Sequence, residues 1–172
     1  MPRLFVAVVP PDDVLAAVAA LPRPEVAGLR WTQPEQWHVT VRFLGRVEEV
    51  GPVVDALGAV RVPAPVAVAG PEVGRFGQRV LHVPVAGLDE VAGAVVEATA
   101  TLGEPPEDRP FAGHLTLARV RKGARVDLRR MCGEPISGEW TAGEVCLFES
   151  RLSSAGAGYE VVARFPLPRP EG

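Results

Sequence analysis

The chain has 172 residues and a mass of 18.2 kDa, the size of one ordinary domain, long enough to bury a core without disulfides or a structural metal. Its 47% hydrophobic and 23% charged content excludes a disordered or low-complexity chain. A net charge of −3 argues against broad adhesion to nucleic acid or anionic membrane, while leaving room for a local site that grips one phosphate.

In chain order, Leu4 to Val9 reads as a buried strand too short to span a membrane, and Pro11-Asp12-Asp13 opens a helix to about Ala20. His38 to Phe43 alternates as a strand, and Glu48 to Val60 carries helical spacing at Val50, Val53, Val54 and Leu57. Val66 to Val73 and Arg79 to Val85 are expected to form a hairpin about a Gly74–Gly77 turn, followed by a helix from Leu88 to Leu102. After the loop Gly103 to Pro110 come a strand at His114 to Val120 and a short helix at Val126 to Met131. Two closing strands, Val145 to Glu149 and Tyr159 to Phe165, are expected around a turn at Ser153 to Gly158.

One short pattern occurs twice: His38-Val39-Thr40-Val41 and His114-Leu115-Thr116-Leu117, which together use two of the three histidines. On a strand, His and Thr of each copy point to one face and the apolar residues to the other. Taken singly, either copy could be an ordinary strand with a solvated polar face. As a pair facing one another across a cleft, they supply two titratable rings and two hydroxyls, the groups that acid-base attack on a phosphate ester needs. The motif histidines lie 76 residues apart, nearly half the chain, and the order of elements around them roughly repeats. This spacing suggests two similar α+β lobes related by a pseudo-twofold, with antiparallel sheets meeting at a cleft.

Other residues read more plainly. Arg42 has the parity to share the face of His38 and Thr40. Arg119, five residues past His114, falls on the opposite face of a regular strand, so a role beside His114 requires the strand to end, bulge or twist near Ala118. His82 reads as a packed or surface histidine and Phe76 and Trp37 as packing residues, although the two aromatics could stack on a base. Gly74-Arg75-Phe76-Gly77 lies in a hairpin turn and is no phosphate fingerprint. Cys132 and Cys146 read as free thiols near the core, which with no leader or membrane span points to the cytoplasm. No HExxH or carboxylate cluster accompanies the histidines, so no metal or other cofactor is expected.

The doubled motif, with Arg3-Leu4-Phe5-Val6-Ala7-Val8, Trp37 to Gly45, Gly113 to Arg119 and Phe148-Glu149-Ser150-Arg151-Leu152, resembles the 2H phosphoesterase superfamily. Within it, the chain resembles the bacterial and archaeal RNA 2′,3′-cyclic phosphodiesterases, also called 2′-5′ RNA ligases. One departure is Gly113, where many relatives carry Pro. The resemblance implies a single bilobal α+β domain over residues 1–172, a metal-independent enzyme and RNA ends with 2′,3′-cyclic phosphate as substrate, tRNA halves among them. It further implies hydrolysis to a 2′-phosphate, with 2′-5′ joining in the reverse sense, by a monomer. It assigns His38 as proton donor to the leaving 3′ oxygen and His114 as acceptor from water, Thr40 and Thr116 to the phosphate oxygens, and Arg119 to the phosphate. Two alternatives stay open: action on small cyclic phosphates of nucleotides or ADP-ribose, and a binding module for RNA ends that does not turn over.

Overall fold

The structure, a computed structural model, describes residues 1–153 and 156–170. Its strands are β1 (Arg3–Val8), β2 (Leu29–Trp31), β3 (Val39–Arg46), β4 (Val66–Ala69), β5 (Gly74–Phe76), β6 (Val80–Ala86), β7 (His114–Val120), β8 (Gly138–Thr141), β9 (Glu144–Ser153) and β10 (Gly156–Pro166). The helices are α1 (Asp12–Ala19), α2 (Val50–Gly58) and α3 (Asp89–Ala98), with 3-10 turns at Pro34–Gln36 and Leu128–Met131.

The strands run in the order β10-β9-β1-β3-β7-β6-β4-β8, with β2 added to β7 and β5 to β6. All these pairings are antiparallel. The order is symmetric about its centre: four strands lie on each side, and the two innermost, β3 and β7, carry the two motifs. The halves meet where Val39 lies opposite Leu115. This is the α+β, pseudo-twofold arrangement expected from the repeated motif.

One face of the sheet is apolar because the alternating Val and Leu of the motif strands point there. Val39, Val41, Leu115 and Leu117 are buried with Leu4 and Val6 against Val14 and Val18 of α1, Val53 and Leu57 of α2, and Val91 and Val95 of α3. Burying each such side chain contributes roughly 1.5–3 kcal/mol, so the core clamps the backbone of both histidine strands. Helix α1 touches β8 and α3 touches β3, each helix crossing to the half opposite its own preceding strand. No helix among the described residues is long and apolar enough to cross a membrane.

Several expectations need correction. Gly74–Phe76 is not a turn but the strand β5, which forms the tight hairpin with β6, Phe76 opposite Val80; β4 pairs instead with the far end of β6, at Val68–Ala86 and Ala69–Val85. The α3 helix stops at Ala98, four residues early, because a buried guanidinium takes over its terminal carbonyls, as described below. The segment before Met131 is a single 3-10 turn from Leu128, capped by the Asp127 carboxylate, which accepts from the Arg129 amide. The short strands β2 and β8 carry no sequence signal of their own and add to the expected set. The closing turn expected at residues 153–158 falls partly on residues 154–155, outside the described residues; β9 and β10 run up to either side of it.

Candidate active site

Each motif strand carries a β-bulge at the same place. Across β1 and β3, Ala7 pairs Thr40 while the next residue, Val6, pairs Arg42; across β6 and β7, His82 pairs Thr116 while Leu81 pairs Ala118. The extra residues are Val41 and Leu117, each third after its histidine. A bulge turns two successive side chains to one face, so Val41 and Arg42 are both buried, as are Leu117 and Ala118. Beyond the bulge parity is inverted. Arg119 therefore returns to the His114 side, as its expected role required, and Arg42 leaves the His38 side.

Arg42 is thus corrected from the cleft to the core. Only 4% exposed, it donates from Nε to Thr99 Oγ1 at 3.1 Å and from its terminal nitrogens to the carbonyls of Phe43, Thr99, Leu102 and Glu104 at 2.8–3.2 Å. It terminates α3 and ties the following loop to β3.

Continuing the Val39–Leu115 register by one residue sets His38 opposite Thr116 and Thr40 opposite His114, a crossed quartet on the polar face. Both rings are oriented alike. His38 Nδ1 lies 2.7 Å from the Gln36 carbonyl and His114 Nδ1 2.9 Å from the Ala112 carbonyl, in each case two residues back. A carbonyl cannot donate, so Nδ1 carries the hydrogen and Nε2 is the free lone pair of the neutral ring. His38 Nε2 accepts from the Thr40 hydroxyl at 2.9 Å. His38, His114, Thr40, Thr116 and Arg119 line one cleft of about 270 Å³, with Phe43, Tyr159 and Thr32 among its other walls.

The surroundings keep both rings neutral. His38 packs on Phe5 at 4.8 Å and the edge of Tyr159 at 5.3 Å, and burial pushes its pKa down to about 4, with His114 and Arg119 adding repulsion. His114 is lowered as well, first by burial and then by Arg119 and Arg109, against a carbonyl contact and Glu107 that favour its charged form. A bound phosphate anion would favour the charged form of both rings and raise both values.

Sequence reasoning placed Trp37 correctly in the core: 4% exposed, it donates from Nε1 to Thr32 Oγ1, which in turn donates to carbonyls of β7 at 2.9 and 3.0 Å. His82 is packed as expected, but its place beside the site has no signal in the sequence: 7% exposed, its ring lies 5.5 Å from that of His114, with Nδ1 unpartnered. Phe76 is corrected from a core residue to a 39%-exposed one, stacked on His82 at 4.1 Å and edge-on to His114 at 4.7 Å. Gly113 explains its own departure: a Cβ there would run into the Val85 carbonyl oxygen, whose residue donates its amide to Gly113 at 2.9 Å. The thiols are both free, Cys146 buried and Cys132 half-buried. Among the described residues, no three His, Cys, Asp or Glu side chains are grouped as metal ligands would be.

A symmetric antiparallel sheet with a His–Thr pair from each half facing one cleft is the architecture of the 2H phosphoesterases. A protein of Thermus thermophilus has a similar fold, with 31% identity, a TM-score of 0.79 and coverage of 98% of this chain and 100% of that one. Escherichia coli LigT in its apo form, 24% identical over 98% of this chain and 99% of its own, superposes with a TM-score of 0.70 and shows the same fold. The family model described as LigT like Phosphoesterase matches twice, over residues 6–85 and 81–159, one histidine strand in each match. The chain belongs to the LigT-like phosphoesterase family. A relative from Archaeoglobus fulgidus, named RNA 2′,3′-cyclic phosphodiesterase, is 31% identical over 92% of this chain and 96% of its own. A second so named, from Geobacillus stearothermophilus, is 31% identical over 80% of this chain, which spans about half of that relative's length.

Proposed function

We propose that this phosphoesterase opens 2′,3′-cyclic phosphate ends of RNA to leave a 2′-phosphate, by acid-base catalysis between His38 and His114. The observation that carries this reading is the common orientation of the two rings, each Nδ1 on a backbone carbonyl and each Nε2 toward the cleft. The names of the relatives supply the substrate.

In this reading His114 Nε2 takes a proton from water as the water oxygen bonds to phosphorus, and His38 Nε2 gives a proton to O3′ as the P–O3′ bond breaks. The Thr40 and Thr116 hydroxyls donate to the non-bridging oxygens, and Arg119 neutralises the charge growing there. One turnover moves one proton from His38 to His114 and consumes one water. With an RNA 5′-hydroxyl in place of water as the nucleophile, the same bond changes and the same groups would join ends through a 2′-5′ linkage. No step calls for a metal or cofactor, and in this reading the protein works as a cytoplasmic monomer.

The test is to incubate the protein, with excess EDTA, with a short RNA ending in 2′,3′-cyclic phosphate and to map the product phosphate. Conversion to a 2′-phosphate, abolished in His38→Ala and in His114→Ala, is expected. A 3′-phosphate product or turnover that survives both substitutions would refute the assignment, and tight binding without turnover would make the protein an end-binding module.

A further inference from the structure

Outside the cleft, charge is unevenly spread. Residues 119–130 hold six basic side chains, Arg119, Arg121, Lys122, Arg125, Arg129 and Arg130, against the single acid Asp127, in a chain of net charge −3. The β5–β6 hairpin brings Arg75 and Arg79 to the same place, and a groove of about 970 Å³ runs between them and Arg125 and Arg129. Asp127 is already committed, 3.1 Å from Arg129 and 3.6 Å from Arg130. Among the described residues, Arg75, Arg79 and Arg125 form no ion pair.

A row of side chains leads from the cleft to the β5–β6 hairpin, whose residues Arg75, Gln78 and Arg79 border this groove. Arg30 lies directly opposite Arg119, Arg119 opposite Val80, and Val80 opposite Phe76. Directly paired residues share a face, so the row crosses β2, β7, β6 and β5 over about 14 Å at the usual ~4.8 Å between strands. Arg30 and Arg119 are like charges set side by side, and neither forms an ion pair among the described residues. Such a pair repels unless an anion lies across it. At the other end Phe76 stands exposed at the step from cleft to groove. Guanidinium groups interleaved with an open aromatic face are what an unpaired nucleic-acid strand binds, phosphates on the arginines and a base on the ring.

We propose that the RNA segment on the 5′ side of the cyclic phosphate lies along this row, with a base against Phe76 and the following phosphates in the Arg75, Arg79, Arg125, Arg129 groove. The strand is then held by more than its terminal nucleotide. This rests on the proposed function and adds where the segment upstream of the reacting end is bound.

The test compares a single-stranded octaribonucleotide ending in 2′,3′-cyclic phosphate with a nucleoside 2′,3′-cyclic monophosphate, in the wild type and in Arg75→Ala/Arg125→Ala. The double variant is expected to raise KM for the octamer about tenfold and leave hydrolysis of the mononucleotide unchanged. It should also flatten the salt dependence of octamer binding, measured separately by anisotropy with a labelled 3′-phosphate octamer, by about 1.4 in log–log slope for two lost phosphate contacts. Restoration by the Arg→Lys pair would confirm a charge effect. An unchanged octamer KM and salt slope, or equal losses on both substrates, would overturn the groove. If the wild type turns over neither substrate, the proposed function fails, and the anisotropy series still decides whether the groove holds RNA.

Discussion

Phe43 occupies in one half of the molecule the position that Arg119 occupies in the other. Each lies five residues past its motif histidine, each follows a bulge at the third residue, and both line the cleft. The His–Thr quartet is twofold symmetric; the residues beyond it are not. A guanidinium stands on the His114 side, and a ring 43% exposed, with the Arg3 guanidinium 5.9 Å from its centre, stands on the His38 side. The cleft therefore presents different groups to a phosphate from its two sides.

That asymmetry predicts unequal mutants. Arg119→Ala is expected to lower kcat/KM about a hundredfold, the scale of one lost charge-stabilising group, whereas Phe43→Ala lowers it no more than about tenfold. Steady-state kinetics on a cyclic-phosphate RNA checks this, and equal losses would mean that the phosphate is not held by Arg119.

His38→Ala and His114→Ala should each lower kcat by about 10² to 10⁴. The double variant should be little worse than the worse single one, because the two rings act in one step. Additive losses in single-turnover measurements would show independent roles.

The pH profile follows from the lowered pKa values. In the free protein His38 is charged only toward pH 4 and burial lowers the His114 pKa as well, so the pair titrates on the acid side of an ordinary imidazole. The kcat/KM optimum is expected below pH 6.5. Bound phosphate raises both values, so the kcat optimum should lie at higher pH than the kcat/KM optimum. Coincident optima would remove this electrostatic account.

Stability should also depend on pH. His82, beside His114, is pushed down to about 4 by burial first and by His114 second. Between pH 6.5 and 4 the unfolded chain binds more protons than the folded one, so stability rises with pH across that window and is lost on acidification. The contribution of His82 is on the order of 2 kcal/mol. Thermal unfolding from pH 7 to 4 should show a falling midpoint, with a shallower fall in His82→Phe.

Arg42→Ala should cost about 3 kcal/mol, because it leaves the Thr99, Leu102 and Glu104 carbonyls without their buried donor. Chemical denaturation would measure the loss, while kcat below the unfolding transition should stay within a factor of two or three. A large kcat loss would return Arg42 to the cleft.

The His–Thr quartet was legible in the sequence because it rests on a local rule, the two-residue period of a strand, printed twice. The misplacement of Arg42 and the conditional reading of Arg119 share one cause. A bulge is decided by how β3 meets β1 and β7 meets β6, and nothing within either heptapeptide announces the extra residue. The turn expected at Gly74–Gly77 failed for a related reason: glycines mark turns and short edge strands alike, and only pairing with Val80 to His82 makes Gly74–Phe76 a strand. Three-residue β2 is too short for any period to show, yet it brings Arg30 to Arg119. His82 carried no motif, and only the Thr116 pairing reveals it behind His114.

The rung between Val39 and Leu115 acts as a ruler. Because the histidines are mounted one residue from that rung, on backbone held by the sheet and sealed by the core beneath, their spacing is a property of β-ladder geometry and owes nothing to the loops. Loops at the rim can change length or charge without retuning the distance between the two rings.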